Sequence, residues 1–214
     1  AVAGAAVPGD WFDTCHAELQ EDWIRSVDPQ RNPDHREFDM AALIDGWARR
    51  AGCDPAAPAV RAALDAMADS CIDLVLAYEG VEPVLAALQA RGFRLGILSH
   101  VPWPEDCCRR WYQRRGWDRY FSFYSFSSGV GWIKPSVHHY EHARAAAGCP
   151  ASDILHVGDH PERDVAGARQ FGFRTCLRVT GGVYPNDMLD VCAPDFRVAH
   201  VAELLELQEL QRSP

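Results

Sequence analysis

The pattern of apolar and polar positions divides the chain into a helical first third and a remainder in which strands and helices alternate. A short apolar run at 2–7 ends at Pro8 and Gly9, and it predicts a buried parallel strand because it is short and bounded by turn residues. Residues 14 to about 78 carry apolar side chains at three- and four-residue spacing, interrupted by glycine and proline. This spacing predicts helices.

Beyond residue 80 the period of the pattern changes repeatedly. Helices are predicted at 81–91, 104–115, 136–147, 161–171 and 200–211. Strands are predicted at 93–99, 120–126, 153–159, 173–179 and 195–198. Strands that alternate with helices predict a parallel sheet with right-handed crossovers. Such sheets bind ligands at the carboxyl ends of their strands, so the residues that follow 7, 98, 126 and 158 are the first candidates for a site.

Composition narrows the class of protein. The 214 residues carry a formal net charge of −9, which argues against nucleic acids and anionic membranes as partners and leaves a small molecule. No apolar run reaches the roughly 18 residues of a membrane span, and no basic residue precedes the first apolar stretch as it would in a secretory signal. Eight cysteines are scattered without a CxxC pair, which indicates reduced thiols and a cytoplasmic location.

Three motifs follow successive predicted strands. Ser99 and His100 follow the strand at 93–99, and Lys134 precedes Pro135 after the strand at 120–126. Asp159 and Asp164 lie five residues apart in a GDxxxxD pattern after the strand at 153–159. Each motif alone is weak, but the three in this order on alternating strands and helices form a specific signal.

This order resembles the haloacid dehalogenase (HAD) superfamily. The resemblance extends through the D-x-A-G-A-x-x-x-G pattern that begins at Asp164, and it covers the whole chain. It implies an α/β fold, a three-layer Rossmann-like parallel sheet, with an inserted helical cap. The core would comprise 1–14 and 79–214, and the cap 15–78.

The resemblance also implies roles for the motif residues. Ser99 would bind a transferring phosphoryl group and Lys134 would neutralise its charge. Asp159, and secondarily Asp164, would hold Mg²⁺. These roles agree with the preference of hard cations for carboxylate oxygens, and with phosphoryl transfer as a matter of positioning and charge compensation.

The first motif departs from the family pattern. Ala6 stands where the family has its aspartate nucleophile, Pro8 stands at the acid/base, and Asp10 stands at the Thr/Val position. Neither Ala nor Pro can do this chemistry, and losing such a unit costs on the order of 10⁶ in rate in a well-studied hydrolase. We therefore expect no cofactor, with Asp159 and Asp164 vestigial. Mg²⁺ is expected only if a shifted register makes Asp10 the nucleophile.

Two histidines occupy positions beside former catalytic residues. His100 replaces the usual Asn, and His160 follows Asp159. Because His titrates near neutral pH, the pair could form a new acid/base or metal centre. The alternative is that both are solvent-exposed loop residues. His138, His139 and His142 share one predicted helix and are expected at the surface.

Three tryptophans follow the motifs. Trp11, Trp103 and Trp132 could line the mouth of the site together with Asp10 and suit an aromatic ligand, or they could pack in the core or cap.

We therefore expect an enzyme repurposed for an organic small molecule, with His100, His160, Lys134, Ser99 and Asp159 as its catalytic groups and with Asp159 and Lys134 in a direct pair. One alternative is a non-catalytic HAD-like binding protein. Another is a Mg²⁺-dependent phosphatase that uses Asp10.

Overall fold

The computed structural model describes residues 9–179, 184, 188–189 and 192–211. The predicted strand at 2–7 lies outside the described residues, and so do Ala6 and Pro8, on which the departure from the family pattern rests.

Three helices precede residue 74: α1 (Trp11–Val27), α2 (Met40–Arg50) and α3 (Pro58–Asp73). They enclose a hydrophobic cluster of their own, formed by Cys15, Met40, Ile44, Trp47 and Leu64. Proline suits the first position of α3 because that N–H has no partner within the helix. The prediction of helices throughout 14–78 is wrong for 28–39, since α1 ends at Val27 and α2 begins at Met40. The Asp39 side chain caps α2 by accepting the Ala42 N–H.

The remainder alternates as predicted. Its helices are α4 (Val81–Ala90), α5 (Glu105–Arg114), α6 (Ser127–Val130), α7 (Val137–Ala147), α8 (Gly167–Phe171) and α9 (Gln208–Gln211). Its strands are β1 (Leu95–Ser99), β2 (Phe121–Phe126), β3 (Leu155–Gly158), β4 (Arg174–Arg178) and β5 (Phe196–Val198). Short 3₁₀ turns cover Asp118–Tyr120, Ala151–Asp153 and Val201–Glu206, and a wider π-type turn, Pro161–Ala166, leads into α8.

All the strand pairs are parallel, as predicted. β1 pairs with β2, and β4 lies between β3 and β5. Successive strand side chains point to opposite faces of a sheet. In β4, Cys176 packs in one cluster with Val84 and Leu88 of α4, whereas Leu177 packs in another with Val165 of the π-type turn. Helical segments therefore cover both faces, which gives the expected three-layer α/β architecture.

Among the described residues, no helix has both the length and the apolar character that crossing a bilayer requires.

Candidate functional site

A cavity of about 710 Å³ lies at the carboxyl end of β1, between the first three helices and the α/β core. This volume falls within the roughly 300–1,000 Å³ of small-molecule sites. On the helical side it is lined by Leu19, Gln20, Trp23, Ile24, Met40, Cys71, Ile72 and Val75. On the core side it is lined by Ser99, His100, Val101, Pro102, Trp103, Cys108, Trp111, Tyr112 and Phe126. We call this space the apolar cavity, because no Lys, Arg, Asp or Glu occurs among its described lining residues.

His100 is wedged among three side chains at the wall of the apolar cavity. Its ring stacks on Trp23, with 4.8 Å between centroids and 16° between planes. Its Nδ1 lies 3.4 Å from a guanidinium nitrogen of Arg163. A guanidinium can only donate, so Nδ1 is the acceptor and the proton of the neutral ring is on Nε2. That Nε2 lies 3.3 Å from Glu37 Oε2 but is not aligned with it as a hydrogen bond.

Glu37 is a buried carboxylate, and its side chain is only 2% exposed. It accepts hydrogen bonds from the Ser127 hydroxyl and from the Phe38 N–H (3.0 Å). The Ser127 oxygen in turn accepts the Val101 N–H at 2.8 Å. The carboxylate of a loop between helices is thereby fixed against the segment that follows β1.

Internal hydrogen bonds brace the loop that carries Glu37. The Asn32 side-chain amide donates to Ser26 O (2.8 Å) and Arg36 O (2.7 Å), and its oxygen accepts the Arg36 N–H (2.9 Å). His35 adopts a left-handed backbone conformation with φ of 53°. A non-glycine residue in this conformation is uncommon, and here the Asn32 contacts hold it in place.

The same loop pairs with the segment that leads to Lys134. Glu37 N–H donates to Gly131 O at 3.1 Å, and Ile133 N–H donates to His35 O at 2.8 Å. The Arg36 guanidinium lies 4.2 Å from the centroid of the Trp132 ring. Backbone and side-chain contacts therefore join the helical region to the core in the segment just before Lys134.

Lys134, the only lysine in the sequence, is buried in a polar cluster with Asp164 and His156. Its ammonium forms an ion pair with Asp164 Oδ1 and donates to Leu98 O at 3.1 Å. His156 Nε2 lies 3.2 Å from the same carboxylate oxygen. The expected pair between Lys134 and Asp159 is therefore wrong, because the more deeply buried Asp164 takes that place.

Asp164 also holds the loop that follows β3. Its Oδ2 accepts the backbone N–H groups of Asp159 (3.1 Å) and His160 (3.0 Å). Burial raises the pKa of Asp164, but Lys134 and His156 outweigh burial and hold that pKa well below its usual range. Asp164 is therefore an ionised anchor with both oxygens engaged.

Asp164 does not fit the role of Mg²⁺ ligand that the resemblance implies for it. Magnesium requires nearly octahedral oxygen ligands, and Asp164 has both oxygens committed to protein donors. Among the described residues, the one group of three potential ligands within reach of a single ion is Asp65, Asp106 and Cys107. Arg61 already pairs with both of those carboxylates.

His160 begins the π-type turn, and its Nδ1 accepts the Arg163 N–H at 3.3 Å. Burial, followed by the charge of Arg163, lowers the pKa of His160 to about 4. His160 is therefore neutral at pH 7, with its proton on Nε2. It lines a second, polar cavity of about 220 Å³ together with His35, Lys134 and Arg163.

The structure distributes the predicted site residues among several places. Ser99, His100 and Trp103 line the apolar cavity, and Lys134 and His160 line the polar one. Asp159 is half-buried on the loop after β3.

Neither set of described lining residues includes Trp11, Trp132 or Asp10. Trp11 packs in the cluster of the first three helices. Trp132 lies between Arg36 and His138. Asp10 is exposed, and its carbonyl accepts the N–H and the hydroxyl of Thr14, both at 3.0 Å.

Among the three histidines expected at the surface, His139 is fully buried, so that expectation is wrong for it. Its Nε2 donates to Ser125 O at 3.1 Å, and burial lowers its pKa to about 3.

Sequence reasoning missed Glu37, Trp23 and Arg163, the three residues that surround His100. None of them belongs to a motif. A weak signal was available for Arg163, which sits between the two aspartates of GDxxxxD. Glu37 and Trp23 offer no comparable signal, because long-range folding alone brings them to His100.

A family model described as haloacid dehalogenase-like hydrolase matches residues 21–172. The chain belongs to this family, as the order of its motifs indicated. The matched range does not include positions 6, 8 and 10, for which the sequence predicts a departure from the family pattern.

Similar proteins include phosphatases and dehalogenases. Glyceraldehyde 3-phosphate phosphatase of Methanopyrus kandleri is 28% identical over 201 residues, which are 91% of this chain and 81% of that protein. Phosphoserine phosphatase of Thermus thermophilus is 33% identical over 134 residues, 62% of this chain and 51% of that protein.

Solved structures support the fold. A HAD phosphatase from Thermococcus onnurineus matches with a TM-score of 0.63 and 19% identity, covering 90% of this chain and 78% of that one. A 2-haloacid dehalogenase from Pseudomonas syringae pv. Tomato DC3000 matches with a TM-score of 0.61 and 24% identity, covering 94% of this chain and 80% of that one.

Proposed function

We propose that this member of the hydrolase family acts on an apolar organic molecule, aromatic ones included, held in the apolar cavity, and that no phospho-aspartate forms. The carrying observation is the cavity itself, about 710 Å³ in volume and without a charged side chain among its described lining residues. The sequence adds that Ala6 and Pro8 bring neither a nucleophile nor an acid to the position of the first motif.

Two histidines supply the polar chemistry in this proposal. Arg163 donates from its side chain to His100 and from its backbone to His160, in each case to Nδ1. In the neutral form each ring then carries its proton on Nε2, which suits donation of a hydrogen bond to a ligand or to charge that develops on it. Ser99 contributes a hydroxyl to the cavity wall.

The two charged members of the proposed catalytic set have different surroundings. Lys134 is committed to Asp164 and Leu98, so we assign it the placement of the loop after β3. Asp159 is half-buried beside His160, and we assign its carboxylate the role of proton acceptor.

A second candidate function is binding without turnover. The observation that favours it is the mutual pairing of Lys134, His156 and Asp164. These groups satisfy one another, as they would in a scaffold that supports the cavity.

The first experiment addresses conventional phosphatase activity. With p-nitrophenyl phosphate and Mg²⁺ we expect no hydrolysis above background. Turnover of about 1 s⁻¹, the low end of the common range for enzymes, that disappears in Asp10→Asn would instead establish the shifted register and overturn the proposal.

The second experiment separates the two candidates. Native mass spectrometry of the purified protein identifies any molecule bound in the cavity, and that molecule is then assayed for conversion. For an enzyme we expect His100→Ala and His160→Ala each to lower turnover by about 10² or more, the usual scale when a donor that stabilises developing charge is removed. His16→Ala, an exposed histidine on α1, is the matched control. Full activity in both variants removes the catalytic role of the two histidines, and binding without any conversion favours the second candidate.

A further inference from the structure

The wall of the apolar cavity lacks charged residue types, and its cysteine and tyrosine side chains at Cys108 and Tyr112 are also uncharged. Its described lining residues include no Lys, Arg, Asp or Glu. Burial raises the pKa of Cys108 to about 12, and it also raises the pKa of Tyr112, so both groups stay protonated. Gln20 and Ser99 provide neutral polar groups.

Two full charges lie beside His100 and oppose each other. Arg163 approaches Nδ1 at 3.4 Å, and the Glu37 carboxylate lies 3.3 Å from Nε2. One positive and one negative group on the two edges of a single ring leave little net charge to attract an ion. The charge of Lys134 is compensated by Asp164 in the same way.

A charged ligand in this cavity would lose its hydration without gaining a partner of opposite charge. Burying an ionised group under these conditions is costly, whereas burying an uncharged aromatic group is favourable. The net charge of −9 on the whole chain further disfavours an anion.

We infer that the apolar cavity selects an uncharged molecule over its anionic counterpart. This inference rests on the proposed function of the cavity, and it sets the protein apart from relatives whose names specify a phosphate ester or a haloacid.

Two fluorescent probes that share one aromatic skeleton test the inference. N-phenyl-1-naphthylamine is uncharged, and 8-anilinonaphthalene-1-sulfonate carries one sulfonate. We expect the neutral probe to bind with 1:1 stoichiometry and with a Kd at least tenfold below that of the sulfonate. Leu76→Ser reports on surface binding, because Leu76 is 85% exposed and is not among the lining residues. Both affinities should be unchanged in this variant.

A charge placed in the wall should reverse the preference. Gln20 lines the cavity from α1, so Gln20→Lys puts a cation there, and we expect it to tighten binding of the sulfonate at least tenfold. Gln170→Lys makes the same charge change on the exposed surface of α8 and should leave both affinities unchanged.

The outcomes separate the inference from the proposed function. Equal affinity for the two probes in the wild-type protein, with no gain in Gln20→Lys, overturns the inference and leaves the cavity as a ligand site. If neither probe binds with 1:1 stoichiometry, the proposed use of the cavity fails and the inference fails with it.

Discussion

The apolar cavity at the end of β1 and the polar cluster at the end of β3 belong to the same α/β core but differ in how their side chains are satisfied. In the polar cluster, both oxygens of Asp164 are engaged, by Lys134, by His156 and by two backbone N–H groups. In the cavity wall, large side chains enclose space and offer few polar partners. Buried polar groups stabilise a fold when they form hydrogen bonds and ion pairs with one another. An exposed apolar surface lowers its free energy when a ligand covers it. We therefore expect substitutions in the cluster to affect stability and substitutions in the wall to affect binding.

The largest expected effect follows from removing the charge of Lys134. Lys134→Met leaves Asp164 ionised and buried without its cation, which in comparable buried pairs costs about 3–5 kcal/mol. We expect a loss of that size in the free energy of unfolding, measured by urea denaturation.

Two controls define that result. In Lys134→Met/Asp164→Asn the unpaired charge is gone, so part of the stability should return. Arg144→Ala removes an exposed partner of Glu141 and should change stability by less than about 0.5 kcal/mol. A loss in Lys134→Met no larger than that of Arg144→Ala would contradict the assignment of stability to the cluster.

Acid should lower the free energy of unfolding, because buried histidines resist protonation in the native protein. His139 is fully buried with a pKa of about 3, against about 6.5 in an unfolded chain. Between these values the unfolded chain binds a proton that the native protein does not, so stability is lost as the pH falls below about 6.5. For His139 alone the loss is about 1.4 kcal/mol per pH unit.

Urea denaturation at pH 7 and pH 5 measures this loss, and His139→Gln should reduce it. Asp164 does not compete in this window, because a carboxylate with a lowered pKa loses its contribution only below about pH 4. Because burial also lowers the pKa of His156 and His160, part of the loss should remain in His139→Gln. If the wild-type protein and His139→Gln lose the same stability between pH 7 and pH 5, His139 is not one of the titrating groups.

The architecture was predictable from sequence because its signals are local. Short apolar strands such as β3 and β4 alternate with helices that end at glycine, so the parallel α/β core follows from residue spacing alone. The segment 28–39 was harder. Its spacing extends the helical pattern, but Pro29 and Pro33 interrupt it and the Asn32 side chain satisfies the loop backbone instead.

The candidate site was predictable only in part, for a physical reason. Motifs located Ser99 and His100 at the end of β1 and Lys134 in the segment after β2, and the structure places the first two at the apolar cavity and Lys134 at the polar one. Contacts between residues far apart in sequence cannot be derived from local spacing. Arg163 meets His100 across 63 positions, and Glu37 also reaches His100 across 63.

The next effect is smaller and lies at the boundary between the two regions. Glu37→Gln keeps one of the two accepting oxygens and replaces the other with an NH₂ group, which cannot accept a hydrogen bond. Either the Ser127 hydroxyl or the Phe38 N–H then loses a charged acceptor, so we expect a loss of about 1–2 kcal/mol in a urea titration. Glu141→Gln, at an exposed pair with Arg144, is the matched control and should be nearly neutral. A neutral Glu37→Gln would show that this carboxylate does not hold the loop to the core.

The smallest effect on stability is expected in the cavity wall, where the effect on binding should be large. Ile24 lines the apolar cavity from α1 but is 53% exposed, so Ile24→Ala should change the free energy of unfolding by less than about 0.5 kcal/mol. The same truncation removes apolar wall surface, and each buried methylene is worth about 0.8 kcal/mol. We expect N-phenyl-1-naphthylamine to bind severalfold more weakly to this variant. Leu76→Ala removes a side chain of similar size outside the wall and should leave the affinity unchanged. If Ile24→Ala instead unfolds the protein and retains the affinity of the folded fraction, this face of α1 supports the fold, and the contrast between a stabilising cluster and a binding wall is lost.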